Sequence, residues 1–188
     1  MSSLNVTESC LTAEERARLV QLLNETRTGL LALIEPLTEA QWTAKSETDG
    51  WSVQQIAEHL VMGEVGMLRK IAEAMSLPPN SEWEDQSSRK AKFLDLVLPD
   101  RRRKAAAPPM LHPHRNWTRE ETIARYKAGR EKTLQFVAQA DGPVKSHCAD
   151  HPFPIFNSLS VYHWLLYIPL HNERHNQQIA EVLKDLPR

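Results

Sequence analysis

The sequence predicts an all-α protein, a four-helix bundle with a long proline-rich insertion between its second and third long helices. Three observations predict it. Four stretches repeat apolar residues at steps of three and four, the period of one helix face. Three of them open with a capping box, a Ser or Thr cap answered three positions on by Glu or Gln. No stretch alternates apolar and polar residues as a half-buried strand does. Four such helices bury their stripes by packing on one another.

The first helix opens at the capping box Thr12-Ala13-Glu14-Glu15. Its stripe is Leu19, Leu23, Thr26, Leu30, Leu33 and Leu37, and Pro36 ends it near Glu35, giving a helix over 13–35. Residues 43–50 are a polar loop. Trp51-Ser52-Val53-Gln54-Gln55-Ile56 opens the second helix: Ser52 caps, Gln55 answers, and Trp51 with Ile56 forms a hydrophobic staple. Val53, Ile56, Leu60, Met67, Leu68 and Ile71 carry it to Met75.

Prolines 78, 79, 99, 108, 109 and 113 then break the pattern over 76–117. Phe93, Leu94, Val97 and Leu98 predict a short helix over 88–97, and Arg101–Lys104 reads as a solvated turn with the charge to bind anions. So long an insertion inside a compact fold is commonly functional. Thr118-Arg119-Glu120-Glu121 opens the third helix, 119–140, marked by Ile123, Tyr126, Arg130, Leu134 and Val137. After the loop 143–157, Asn157 or Ser158 caps a fourth helix over 158–185, apolar over much of its surface. Pro169 inside it removes a backbone hydrogen bond and predicts a kink.

The 188 residues read as one domain, 1–188. Lys and Arg number 23 against 24 Asp and Glu, a balance that argues against a nucleic-acid partner, since phosphate binding needs a basic surplus. Two cysteines, Cys10 and Cys148, suit a reducing compartment rather than a disulfide framework. The opening MSSLNVTESC has no signal-peptide pattern, and no apolar run is long enough to span a membrane. A cytoplasmic protein with no membrane partner is expected. With 6 glycines and no Gly-rich phosphate loop, nucleotide-binding fingerprints are absent.

The eight histidines carry the functional signal. At about 100° per residue, His175 falls about 40° from His171, on the stripe that faces the bundle interior. Buried imidazoles need partners, and an i,i+4 pair is a standard metal-ligand spacing. His59 lies on the shoulder of the second helix stripe, flanked by Gly63 and Gly66, where a neighbour can come close. It is the candidate third ligand. Three histidines with an open position form a catalytic zinc arrangement. His171-Asn172-Glu173-Arg174-His175 is not a zincin motif, because Glu173 projects away from both histidines. Arg174 and Tyr167 are candidates for the edge of the site: Arg174 to reach a substrate anion, Tyr167 to hydrogen-bond. His163 is a candidate outer partner. His112 with His114, and His147 with Cys148 and His151, are read as loop residues rather than a second zinc site, and Cys148 lacks the partners of a nucleophile.

Two pieces, Trp51-Ser52-Val53-x-x-Ile56-Ala57-x-His59-Leu60 and Trp164-Leu165-Leu166-Tyr167-x-x-x-His171-x-x-x-His175-x-x-Gln178-Ile179, resemble the DinB/YfiT-like family, over about residues 15–185. The resemblance implies a four-helix bundle of up-down-down-up order, often a homodimer. It implies a divalent metal, typically zinc, nickel or iron, on three histidines that match His59, His171 and His175 here. Characterised members of that family include S-transferases and isomerases using low-molecular-weight thiols such as bacillithiol or mycothiol, while many have no known activity. The expected function is therefore a metal-dependent enzyme acting on a small molecule, of the thiol S-transferase or hydrolase kind, with metal-bound water or thiolate as nucleophile. The alternative is a non-catalytic, stress-associated, metal-binding helical dimer, told apart by a fourth protein ligand; a helical dimer without metal is a third reading.

Overall fold

The structure, a computed structural model, describes residues 8–45, 50–81, 83–102 and 107–186, without the side chains of 84–88. Four long helices form the bundle: α1 (Ala13–Ile34), α3 (Val53–Ser76), α5 (Arg119–Gln139) and α6 (Val161–Asp185). Between them lie α2 (Glu39–Thr43), α4 (Trp83–Val97), a 3-10 turn (Pro109–Leu111) and a two-stranded antiparallel hairpin, β1 (Cys148–Asp150) with β2 (Ser158–Ser160). No described helix is long and apolar enough to cross a membrane.

The three expected capping boxes form: Thr12 with Glu15, Ser52 with Gln55, and Thr118 with Glu121. A fourth box, Thr38 with Gln41, opens α2, which buries Trp42. Two expectations are corrected. The short helix of the insertion begins at Trp83 rather than near 88. The last helix starts later than expected: Ser158–Ser160 pair with Cys148–Asp150 as strand, and Ser160, not Asn157 or Ser158, caps α6. A three-residue strand is too short to show alternation, which is why the pattern missed it. The helix runs on through Pro169 to Asp185. Of the basic run, Arg103 and Lys104 lie outside the described residues, as do residues 46–49 of the 43–50 loop.

The core has two halves. One contains Leu19 and Leu23 of α1, Met67 and Ile71 of α3, Val137 of α5 and Leu165 of α6. The other contains Leu30 and Ile34, Val53 and Ile56, Tyr126, and Ile179 and Val182. Along α1 and α6 the chain passes from the first half to the second; along α3 and α5 it passes from the second to the first. The order is thus up-down-down-up, with α3 and α5 parallel. Parallel neighbours need a connection as long as the bundle. The proline-rich segment 77–118 is that connection, and it lays α4 on α6 through Leu94 and Leu98.

A layer of buried polar side chains separates the halves. Arg130, with no exposed surface, pairs with Glu64 through Nε–Oε1 at 3.0 Å and Nη2–Oε2 at 3.1 Å. Its Nη1 donates to the Leu23 carbonyl and to Thr26 Oγ1, and its Nη2 to Asn172 Oδ1. Thr133 donates to Glu64 at 2.6 Å and Tyr126 to Asn172 at 2.5 Å. Asn172 donates to Asn176, which donates to the Thr26 carbonyl. All four long helices contribute. Replacing Arg130 with Ala leaves the Glu64 carboxylate buried and unpaired, and a loss of about 3–5 kcal/mol is expected in urea unfolding. Replacing Lys127, whose pair with Glu35 is solvent-exposed, is expected to change stability by about 0.5 kcal/mol or less.

Candidate metal centre

The layer also sets how α6 faces its neighbours. Asn172 and Asn176, one turn apart, are held by α1 and α5. His171 and His175, the residues immediately before them, are rotated by about 100° and face α3, which carries His59.

There the three imidazoles converge. His171 Nε2 lies 3.3 Å from His59 Nε2 and 3.1 Å from His175 Nε2. One ligand nitrogen from each ring falls within 4.8 Å of the others. His59 is 3% exposed and His175 8%, with His171 partly buried between them. Gly63 faces the cluster: a side chain there would begin 3.5 Å from His171 Cε1, an ordinary contact distance.

The outer nitrogens decide the chemistry of the inner ones. His59 Nδ1 lies 2.9 Å from the Leu111 carbonyl, which only accepts, so the proton is on Nδ1. His175 Nδ1 donates to Gln178 Oε1 at 2.5 Å. Both Nε2 atoms therefore turn bare lone pairs inward. A proton on His171 Nε2 would answer one of them and leave the other facing it. His171 Nδ1 is buried with no hydrogen-bond partner. A cation among the three nitrogens answers every lone pair at once. Three nitrogens on one tetrahedral metal at zinc–imidazole distances lie about 3.3–3.4 Å apart; the two pairs that include His171 stand near that spacing, and the three ligand atoms together lie within 4.8 Å. Neutral imidazoles suit zinc, nickel and iron alike. The residues present fit a divalent transition metal.

Burial is the largest cause holding all three imidazoles neutral. It pushes His59 below its ordinary pKa, and His171 and His175 well below. The rings then oppose one another's charging, and Arg174 adds to this at His171 and His175.

The other expected residues are placed as follows. Tyr167 packs its ring 5.7 Å from that of His171 and 5.0 Å from that of His151, and burial raises its pKa. Arg174 donates to the backbone carbonyl of Asp100, tying the end of the α4 segment to α6 beside the histidines. His163 is buried elsewhere, its Nδ1 2.9 Å from Ser160 Oγ. The loop histidines form no second cluster among the described residues. His112, His114 and His147 each use a ring nitrogen on a backbone carbonyl, and His151 stacks on Trp164 with its pKa lowered to about 4, mainly by burial. Burial raises the Cys148 pKa, the opposite of an activated thiol. Sequence reasoning missed the Leu111 carbonyl and the buried Glu58 beside His59, because the partners of both lie more than fifty residues away along the chain.

A bundle of this chain order with three histidines meeting between its second and fourth long helices defines a class of protein. The chain belongs to the DinB superfamily, whose family model matches residues 22–179, all three histidines included. It is 24% identical over 170 residues to the uncharacterized protein YuaE of Bacillus subtilis strain 168, covering 90% of this chain and 99% of that one. A solved structure, YfiT from Bacillus subtilis, superimposes with a TM-score of 0.59 at 15% identity, over 93% of this chain and 89% of the other. That protein is described as a probable metal-dependent hydrolase with an unusual four-helix bundle topology.

The buried imidazoles make stability depend on pH. Their folded pKa values lie below the ordinary 6.5. Below pH 6.5 the unfolded chain therefore binds protons that the folded chain refuses, and stability falls with pH. Chelator-treated protein is expected to lose melting temperature steadily from pH 6.5 to 5, and a His171→Leu variant to lose it with a shallower slope. Equal slopes would contradict the assignment.

Proposed function

We propose that this chain is a divalent-metal-binding DinB protein and a metal-dependent enzyme acting on a small molecule. His59, His171 and His175 are its ligands, each through Nε2. The observation that carries the reading is the pair of bare Nε2 lone pairs turned inward from His59 and His175 onto His171. The description of YfiT as a probable metal-dependent hydrolase supports it. A bound zinc, nickel or iron ion would supply Lewis acidity, lowering the pKa of a coordinated water or thiol.

The chain's own residues prepare that chemistry. Leu111 and Gln178 hold the protons of His59 and His175 on the outer nitrogens, so the inner ones are ready to coordinate. Burial keeps the rings neutral, so metal and proton do not compete near neutral pH. Among the described residues no Asp, Glu or Cys and no fourth histidine joins the cluster. This favours an exchangeable fourth position over a closed structural site. A dication held by three neutral imidazoles would favour the deprotonated form of a water, as hydrolysis needs, or of a thiol, as S-transfer needs. A low-molecular-weight thiol of the bacillithiol or mycothiol kind, a homodimeric state and a cytoplasmic location belong to the same reading.

Untagged protein purified without chelator is expected to carry about one transition-metal ion per chain by elemental analysis. His59→Ala and His171→Ala variants are expected to lose it and to melt at the temperature of the chelated parent. Wild-type metal content in either variant would contradict the ligand set. A panel of electrophiles, each with and without a small thiol, separates the two chemistries: turnover only with thiol supports transfer, and turnover without it supports hydrolysis.

A further inference from the structure

Glu58 immediately precedes His59 on α3 and is 1% exposed. Its carboxylate accepts three consecutive backbone N–H groups, from His114 at 2.6 Å, Arg115 at 2.5 Å and Asn116 at 3.0 Å. Asn116, the last of the three donors, adopts a positive φ of 53°. Three charge-assisted bonds to main chain are the strong kind, and they satisfy a carboxylate in place of water. Three residues before this grip, in the same stretch of chain, the Leu111 carbonyl accepts the Nδ1 proton of His59. Adjacent residues of one helix therefore hold one short segment at both ends, 111 and 114–116. Leu111 ends the 3-10 turn, which is closed by its own N–H on the Pro108 carbonyl. The grip of Glu58 ties the residues that follow this turn to α3.

We propose that Glu58 is the positioning residue of the metal centre. By clamping 114–116 it places the Leu111 carbonyl, which in turn keeps the proton of His59 on Nδ1 and leaves Nε2 as the donor. The inference rests on the three-histidine metal site above. The hydrogen bonds of the Glu58 carboxylate go to backbone N–H groups rather than to the three imidazoles, so it acts through the backbone. The connection that crosses the bundle thereby becomes part of the metal centre, as outer partners of ligand histidines are elsewhere.

The test compares wild type with Glu58→Ala and the milder Glu58→Gln, which cannot accept all three N–H groups. Two readouts are used: zinc affinity by chelator competition, and the His59 tautomer from nitrogen-15 chemical shifts of metal-free protein. Zinc affinity is expected to fall about ten- to a hundredfold in Glu58→Ala and less in Glu58→Gln. The His59 signal is expected to move from the Nδ1–H tautomer to a mixture. A loss of melting temperature with affinity and tautomer unchanged would overturn the proposal, reducing Glu58 to a loop anchor. If Glu58→Ala does not fold, Glu58→Gln carries both outcomes. If wild type binds no zinc, the metal reading fails by itself, and the tautomer comparison still decides whether Glu58 orients His59.

Discussion

The arrangement depends on the buried pair between Arg130 and Glu64. Removing two charges from water costs several kcal/mol per ion, and their attraction and hydrogen bonds do little more than offset that. Net stability is therefore a weak account of why the pair sits in the middle of a bundle. Its geometric effect is plainer. The guanidinium spends its donors on α1, α3 and α6 from a position on α5. If α6 slid by one turn, Asn172 would leave Arg130 and Tyr126 without their shared acceptor. If it rotated by one residue, His171 or Glu173 would take the place of Asn172 at the layer, and its bonds to Arg130 and Tyr126 would be lost. Unsatisfied buried groups make both alternatives expensive. The layer thus selects one register, and the histidines beside the two asparagines inherit it.

Chain order contributes the second half of the centre. Because α3 and α5 run parallel, the chain must return along the bundle between them. The returning segment passes over α3 at His59, supplying Leu111, and is pinned there by Glu58. Upstream, the same connection lays α4 against α6, where Arg174 donates to the Asp100 backbone. Two histidines owe their facing to the polar layer, and the third owes its proton position to the crossover.

Much of this was legible in the sequence. The long helices follow from period and capping chemistry, both local. The histidine facing on α6 follows from arithmetic, because a helix is regular enough to project. The short hairpin and α2 were harder, since three to five residues carry almost no period, although Thr38 and Gln41 did spell a capping box. The polar layer left a signal too. Arg130 stands in the apolar stripe of its helix, Thr26 in that of the first, and Glu64 falls inside the apolar arc of the second. A charge at a core position implies a buried partner, but which one depends on how the helices pack, which is not a local property. The role of Glu58 was not legible at all, because its partners are backbone amides more than fifty residues away.

The centre is described by atoms rather than by residue types: three Nε2 nitrogens, two of them held bare by hydrogen bonds on the far side of the ring. X-ray absorption of the metal-loaded protein tests that most directly. The account predicts a first shell with three imidazole nitrogens, seen through their outer-ring scattering, and no protein sulfur or carboxylate. A shell with two imidazoles or fewer, or with a Cys or carboxylate ligand from the protein, would contradict it.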